Sequence, residues 1–345
     1  MNASRYSLLF LAFLILAAIQ LGCQESPDPA SSEESSTLTR TSDGLWEQPV
    51  DQRIMRDHDF DGKVLSDAVH EAVVSPRRLG IYDGHLYVLD WNDTQIKRLS
   101  MESETHTHTI GAGRGQGPGE AQSITDVHVS DSGVWVPDPD AANISHFDHT
   151  GTFIDRYSVQ GHPMRVTGSG GTIATLAYGA YPLFKLIHSE TGTISEFGTH
   201  LSEIDPTGMT VGGHLASRPA GGFIFVAQYA GRLFFYDNEG TMERAVATID
   251  GHDFSERNTE DTSRGQRTMA PDVEIQTLGV SIHDDIMYLR VHDQSNDFWY
   301  IDRYDATDGR YLDSSRFRWK ASDFQVSDHG TYVISDTSIV RFDYR

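Results

Sequence analysis

Leu86-Tyr87-Val88-Leu89-Asp90, followed after a short polar loop by Ile96-Lys97-Arg98-Leu99, is the stretch that decides the fold. Both runs are short, apolar and rich in β-branched or aromatic residues, and turn-forming residues bound them, which marks a pair of strands. Just upstream, Arg78–Tyr82 reads as an inner strand joined to the first run by a tight turn. The same unit then returns. Val134-Trp135-Val136 with Asp138 precedes Ile144–Phe147, Ile173–Leu176 precedes Phe184–Ile187, and Phe223–Val226 precedes Leu233–Asp237. Ile286–Leu289 precedes Phe298–Ile301, and Tyr332–Asp336 precedes Ile339–Phe342. Inner strands are expected at Ile124–Val129, Met164–Thr167, Leu215–Arg218, Leu278–Ile282 and Phe324–Val326. A spacing of roughly 40–60 residues is that of a four-stranded blade. The fold class is therefore all-β, a six-bladed β-propeller of four-stranded antiparallel blades, with no amphipathic helix expected within it.

The last unit ends close to Arg345 and lacks an outer strand. The segment Gln52–Val64 has no blade of its own, and it is expected to complete the sixth blade, with Ile54 pairing near Val340. Such closure removes free strand edges.

Outside the repeats, the N-terminus has its own character. Arg5 precedes an apolar run from Leu8 to Ile19, too short for a comfortable membrane span and suited to a secretory segment. The run ends at Gln20-Leu21-Gly22-Cys23, and Cys23 is the only cysteine, which excludes an intrachain disulfide framework. Glycine before a lone cysteine resembles the cleavage box of bacterial lipoproteins, with Gln20 a departure from the usual small or aliphatic residue. The resemblance implies lipidation at Cys23, and Gln24 in place of aspartate implies the outer membrane. Residues 1–22 then form a signal peptide. Residues 23–45, almost devoid of apolar side chains, form a flexible tether. Residues 46–345 form the propeller.

The formal charge of −23 repels nucleic acid and anionic lipid, so neither is an expected partner. A solvated acidic surface explains most of it, and affinity for a cationic ligand is the alternative.

Between the first two units lies Gly111-Ala112-Gly113-Arg114-Gly115-Gln116-Gly117-Pro118-Gly119-Glu120. This stretch, with the repeated strand pairs, resembles bacterial six-bladed propeller lipoproteins related to NHL-repeat and TolB-like propellers. The resemblance covers residues 46–345 and implies fold and envelope location, not a reaction. As chemistry, the stretch lacks the helix and lysine of a phosphate loop. It reads as a tight crossover, with Arg114 and Gln116 as candidates for ligand contact.

Asp57-His58-Asp59-Phe60-Asp61-Gly62 matches the first half of a calcium loop, but the twelfth position is Ala68, so Asp57, Asp59 and Asp61 form at most a weak Ca²⁺ site. No other cofactor is expected. His106 and His108 alternate on one strand and would need a third ligand to hold a metal. In the propellers that this chain resembles, loops from second to third strands and from outer strand to the next inner strand share one face around the channel. There Trp91, Tyr178, Tyr181, Tyr229, Arg232 and His292 are candidates for contact with a ligand. Asp90, Asp138 and Asp336, at repeated positions, are expected to cap loops.

Neither a GxSxG elbow nor an HExxH pair is present. The leading expectation is a monomeric, lipid-anchored envelope protein whose propeller face binds a protein, peptide or glycan without catalysis. The alternative is a hydrolase or lyase with a divalent ion in the central channel, built on inner-strand residues such as Asp126, His128, Arg165 and His283. A purely structural role in the envelope is the third.

Overall fold

The computed structural model describes residues 37–56, 61–204, 210–251, 259–261, 267–269, 277–293, 298–317 and 320–343. Cys23, Asp57 and Asp59 lie outside these residues. Six antiparallel sheets follow one another along the chain as the blades of a propeller. Blade 1 runs inward to outward through Pro76–Tyr82, His85–Asp90, Gln95–Ser100 and Thr105–Ile110. Blade 2 comprises His128–Ser130, Gly133–Asp138, Asn143–Phe147 and Phe153–Ser158. Blade 3 comprises His162–Ser169, Thr172–Tyr178, Phe184–His188 and Thr193–Phe197. Blade 4 comprises Gly213–Ser217, Phe223–Ala227, Arg232–Tyr236 and Met242–Ala247, and blade 5 Thr277–His283, Ile286–Asp293, Phe298–Asp305 and Tyr311–Phe317. Blade 6 comprises Asp323–Ser327, Gly330–Ser335 and Ser338–Phe342, with its fourth strand, Gly62–Val64, taken from the N-terminal side.

The second strands are largely buried on both faces, as in the wholly apolar Phe223–Ala227, whereas the third strands mix buried apolar with polar side chains, as in Gln95–Ser100. Each pair of neighbouring blades shares one hydrophobic cluster, which makes six clusters among the described residues. Between blades 3 and 4, Phe184 meets Phe225 edge-on at 4.9 Å, with Phe197, Phe223 and Tyr236 around them. Full burial of a side chain of this size is worth about 2–3 kcal/mol.

Closure differs in register from the expectation. Val340 pairs with Val64, Arg341 with Lys63 and Phe342 with Gly62. Gly62 is needed for contact here: a Cβ would stand 2.6 Å from the Phe342 ring and 2.8 Å from Val340. Ile54 is not part of this strand. Its carbonyl accepts from Ser314 N at 2.9 Å, and Met55–Arg56 extends blade 5 as a parallel fifth strand. The reason is Arg53, whose guanidinium bridges Asp302, buried to 1% exposure, and Asp250. Gln48 adds a second tie, donating to the carbonyls of Ala247 and Gly309 at 2.9 Å and accepting from Tyr311 N. Earlier still, Trp46–Glu47 pairs with the outer strand of blade 4, and Thr39–Arg40 pairs with Trp46–Glu47. Strand structure is thus present at Thr39–Arg40, within the segment read as tether, and the strap from there runs along blades 4, 5 and 6 in turn.

Two short helices, absent from the sequence expectation, fill gaps. Asp67–Ala72 buries Val69, with Val73 just beyond, between blades 6 and 1. Thr199–Ile204 buries Leu201 and Ser202 beside blade 3, where the Ser202 hydroxyl accepts from Leu183 N at 2.9 Å. At six residues each they are too short to show a helical period.

Candidate functional site

The six inner strands enclose an axial channel with a cavity of about 190 Å³. The register of each inner strand against its neighbour places one residue per blade at the same level. These are Arg78, Arg165, His214, Gly279 and Asp323, opposite Leu89, Leu176, Val226, Arg290 and Ile334, and in blade 2 Asp126, two places before the inner strand, which meets Arg78 at 3.8 Å. At blade 5 the ring residue is a glycine, and the side chain of Arg290 lies across it, its Nε 3.8 Å from where a Cβ would stand. Arg290 Nη2 donates to the carbonyls of Leu278 (2.8 Å) and Ser322 (3.2 Å). The ring therefore holds three arginines, two aspartates and a histidine.

Its two halves differ. On the side of blades 6, 1 and 2, Arg78 stands between Asp323 and Asp126 at 4.0 and 3.8 Å. Both carboxylates have a stronger attachment elsewhere: Asp323 accepts from Leu79 N at 2.7 Å, and Asp126 from Val166 N at 3.0 Å. Each aspartate thereby ties its blade to the next. Burial pushes both carboxyls above the usual range, against the pull of nearby arginines.

On the side of blades 3, 4 and 5 stand Arg165, His214 and Arg290. Burial lowers both guanidiniums, Arg290 to about 10. Burial, together with the charges of Arg165, Arg78 and Arg290, holds His214 well below the ordinary imidazole value, so it is neutral at pH 7. Arg165 Nε, His214 Nε2, and Arg290 Nε and Nη1 are buried without a hydrogen-bond partner. Tyr178 and Tyr229 converge nearby, both about 3.0 Å from a Cβ built on Gly212, and the charge of Arg165 acts on both hydroxyls.

Above the ring the channel opens into a mouth of about 450 Å³ lined by Arg77, Arg78, Trp91, Ile124, Met164 and Arg165, with Thr125 and Ser322. Trp91 is 42% exposed, with the Arg77 guanidinium 5.9 Å from its ring centroid. This is the face that carries the turns between second and third strands.

Sequence candidates distribute unevenly over this geometry. Trp91 lines the mouth, and Tyr178 and Tyr229 adjoin the arginine side of the ring. His292 stacks on Trp299 at 4.3 Å, and Arg290 lies over the same indole at 5.2 Å. Tyr181 is exposed in the blade 3 turn. Arg232 acts on Asp43 of the N-terminal strap. Arg114 and Gln116 are exposed on the crossover at the rim. That crossover is closed on itself: Ala112 N donates to Gly119 O, Ala121 N to Gly113 O and Gly115 N to Ala121 O. Gly111, Gly113 and Gly119 take positive φ to make these turns. Arg156 of blade 2 donates to the carbonyls of Gln116, Gly117 and Glu120. The crossover thus offers carbonyls to its own chain, not N–H groups to an anion.

Asp90 accepts from Val74, Ser75 and Asn92 N, and Asp138 from Gln122, Ser123 and Ala141 N, so both cap loops. Asp336 lies one place beyond its strand, at φ 54°. Asp61 is exposed beside the closing strand. His106 and His108 stand opposite consecutive residues, Leu99 and Arg98, because the register shifts between them, and so do not share one face. Of the inner-strand residues, His283 joins Asp284 and Asp328 at exposed turns on the opposite face, with ligand atoms within 4.8 Å of one another. Sequence reading missed Arg77, Arg78, His214 and Arg290. The signal available was an ionisable residue recurring at one level of inner strands that are otherwise apolar.

No protein-family model and no curated protein matches the chain. Solved structures do. A protein of Bacteroides fragilis classed as exported superposes with a TM-score of 0.55 at 13% identity, over 83% of this chain and 95% of that one. Virginiamycin B lyase from Staphylococcus aureus gives 0.53 at 11%, over 83% and 99%, and a streptogramin B lyase 0.52 at 11%, over 83% and 98%. At such identities the likeness is one of fold, the six-bladed propeller shared with bacterial proteins.

Proposed function

We propose that this protein is a lipid-anchored module of the bacterial cell envelope whose channel-mouth face binds a peptide, glycan or protein ligand without catalysis. The observation that carries the reading is the axial mouth, where exposed Trp91, stacked near Arg77, stands over a ring of ionisable side chains. Aromatic faces beside fixed charges suit a ligand with both apolar and polar parts. The carboxylates of the channel are tied to backbone amides and flanked by guanidiniums, an arrangement that favours binding over a divalent-metal centre at this level. The lipoprotein-like Gly22-Cys23 pair and the exported standing of the Bacteroides fold relative support the location.

The test is capture of ligand from fractionated envelope material by the immobilised protein and by its Trp91→Ala variant. The reading expects a captured species that is lost or much reduced with Trp91→Ala. Capture equal in the two proteins contradicts a role for this face. Labelling with palmitate in a bacterial host, abolished by Cys23→Ser, tests the anchor.

A further inference from the structure

We infer that Arg165 and His214 on the channel wall, with Arg290 behind Gly279, form a seat for an oxyanion, a carboxylate or phosphate group carried on the ligand that enters past Trp91. This rests on the reading of the mouth as the binding face and goes further by giving the chemical class of the group recognised.

The argument is one of unbalanced charge and unspent donors. The ring has six places. Three of them, on blades 6, 1 and 2, form the alternation Asp323, Arg78, Asp126. The other three hold two guanidiniums and one neutral imidazole. Asp126 and Asp323 stand at the borders of the two halves, and each gives its closest bond to a backbone amide. Arg290 is 3% exposed, and two of its nitrogens, Nε and Nη1, have no partner. Arg165 Nε and His214 Nε2 are buried and unpartnered as well.

Asp126 and Asp323 act on Arg165, and Asp323 on Arg290, but three guanidiniums share these two carboxylates, and a buried cation in excess costs several kcal/mol, to which an unmade hydrogen bond adds. A purely structural ring would replace one arginine by an apolar residue or supply a third carboxylate. The chain has 50 acidic residues to draw on, yet none of those described stands on this arc. An oxyanion offers what is missing: negative charge, and several acceptor lone pairs matched to a planar fork. His214 hydrogen-bonds the Thr277 backbone through its other nitrogen, so Nε2 donates only from the protonated ring, the form that a bound oxyanion favours. Tyr178 and Tyr229 place hydroxyl-bearing rings beside Arg165, where a ligand chain leaves the anion site toward the mouth. Wide acidic surroundings do not forbid this, because charges beyond about 8–10 Å are screened at physiological salt while those lining the channel are not.

The test is titration calorimetry of the purified full-length protein with inorganic phosphate and with succinate, at constant ionic strength in chloride. The expected result is saturable binding with a dissociation constant below about 1 mM for at least one of them, and its identity separates a phosphate-bearing from a carboxylate-bearing ligand. Arg165→Gln is expected to weaken that binding about tenfold or more, while Arg114→Ala at the rim leaves it unchanged. Because substitution of a buried arginine can disturb folding, the wild-type protein supplies a second readout. Bound oxyanion is expected to shift the His214 imidazole resonance and raise its pKa. Absence of saturable binding of both anions up to about 20 mM overturns the inference, as does binding that neither moves His214 nor depends on Arg165. If both anions fail while Trp91→Ala still abolishes ligand capture, the anion seat falls and the binding face stands. If capture is also indifferent to Trp91, both fall.

Discussion

Two arginines at the rim of this propeller, Arg53 and Arg156, are held differently from the arginines at its axis. At the rim, Arg53 forks onto Asp302 and reaches Asp250, and Arg156 places its donors on three carbonyls of the glycine-rich crossover. At the axis, Arg78 meets its carboxylates only at 3.8–4.0 Å, and Arg165 and Arg290 keep buried nitrogens without partners. One residue type thus does two jobs. Arg53 and Arg156 complete the structure, whereas Arg165 and Arg290 keep unspent donors beside the channel. The difference teaches that a conspicuous motif need not mark unspent hydrogen-bonding groups: the glycine-rich stretch is tied to its own chain, while the axial ring, which keeps unpartnered buried nitrogens, has no motif.

The largest effect is expected at the rim. Arg53→Met leaves Asp302 buried with only the Ser314 hydroxyl, at 2.6 Å, as partner. Urea unfolding is expected to show a loss of about 3–5 kcal/mol. A loss below about 1 kcal/mol would mean that the strap is an ornament of blades 4 and 5.

Next comes a pH effect at the axis. Burial lowers His128, on the inner strand of blade 2, to about 4 from 6.5, against a small opposing influence of Asp131. The folded value is depressed, so the unfolded chain binds the proton first as pH falls. Stability is therefore full above about pH 6.5 and declines between 6.5 and about 4, by about 2 kcal/mol after allowance for water in the channel. His128→Gln is expected to flatten that slope relative to wild type. An unchanged slope would show that the lower channel is open enough to solvate the imidazolium.

A smaller rim effect is expected from Arg156→Ala, which frees the carbonyls of Gln116, Gly117 and Glu120. A loss of about 1–2 kcal/mol, with faster amide exchange confined to 111–121, follows from hydrogen bonds to a charged donor.

How much of this was legible depends on how far each feature extends along the chain. Blades were legible because each strand pair repeats a local pattern and ends in turn residues. The caps at Asp90 and Asp138 were legible for the same reason, since an aspartate after such a strand has few other uses. Closure of blade 6 by Gln52–Val64 was legible from a missing strand. Its register was not, because Ile54 and Val64 are both apolar and exposed in short segments, and the choice between them is made by Arg53 reaching Asp302, 249 residues away. The ring was least legible. It takes one residue from each inner strand, of differing type, and its blade 5 place is filled by Arg290 from the second strand over Gly279. Only the register reveals that substitution.

The measurement that tests the contrast most directly is the unfolding free energy of Arg165→Met beside that of Arg53→Met, both without ligand. Arg165→Met is expected to lie within about 1 kcal/mol of wild type, or above it, because it removes an under-satisfied buried cation. Arg53→Met is expected to fall several kcal/mol lower. Equal losses in the two variants would contradict the account and make the axial arginines staples between blades.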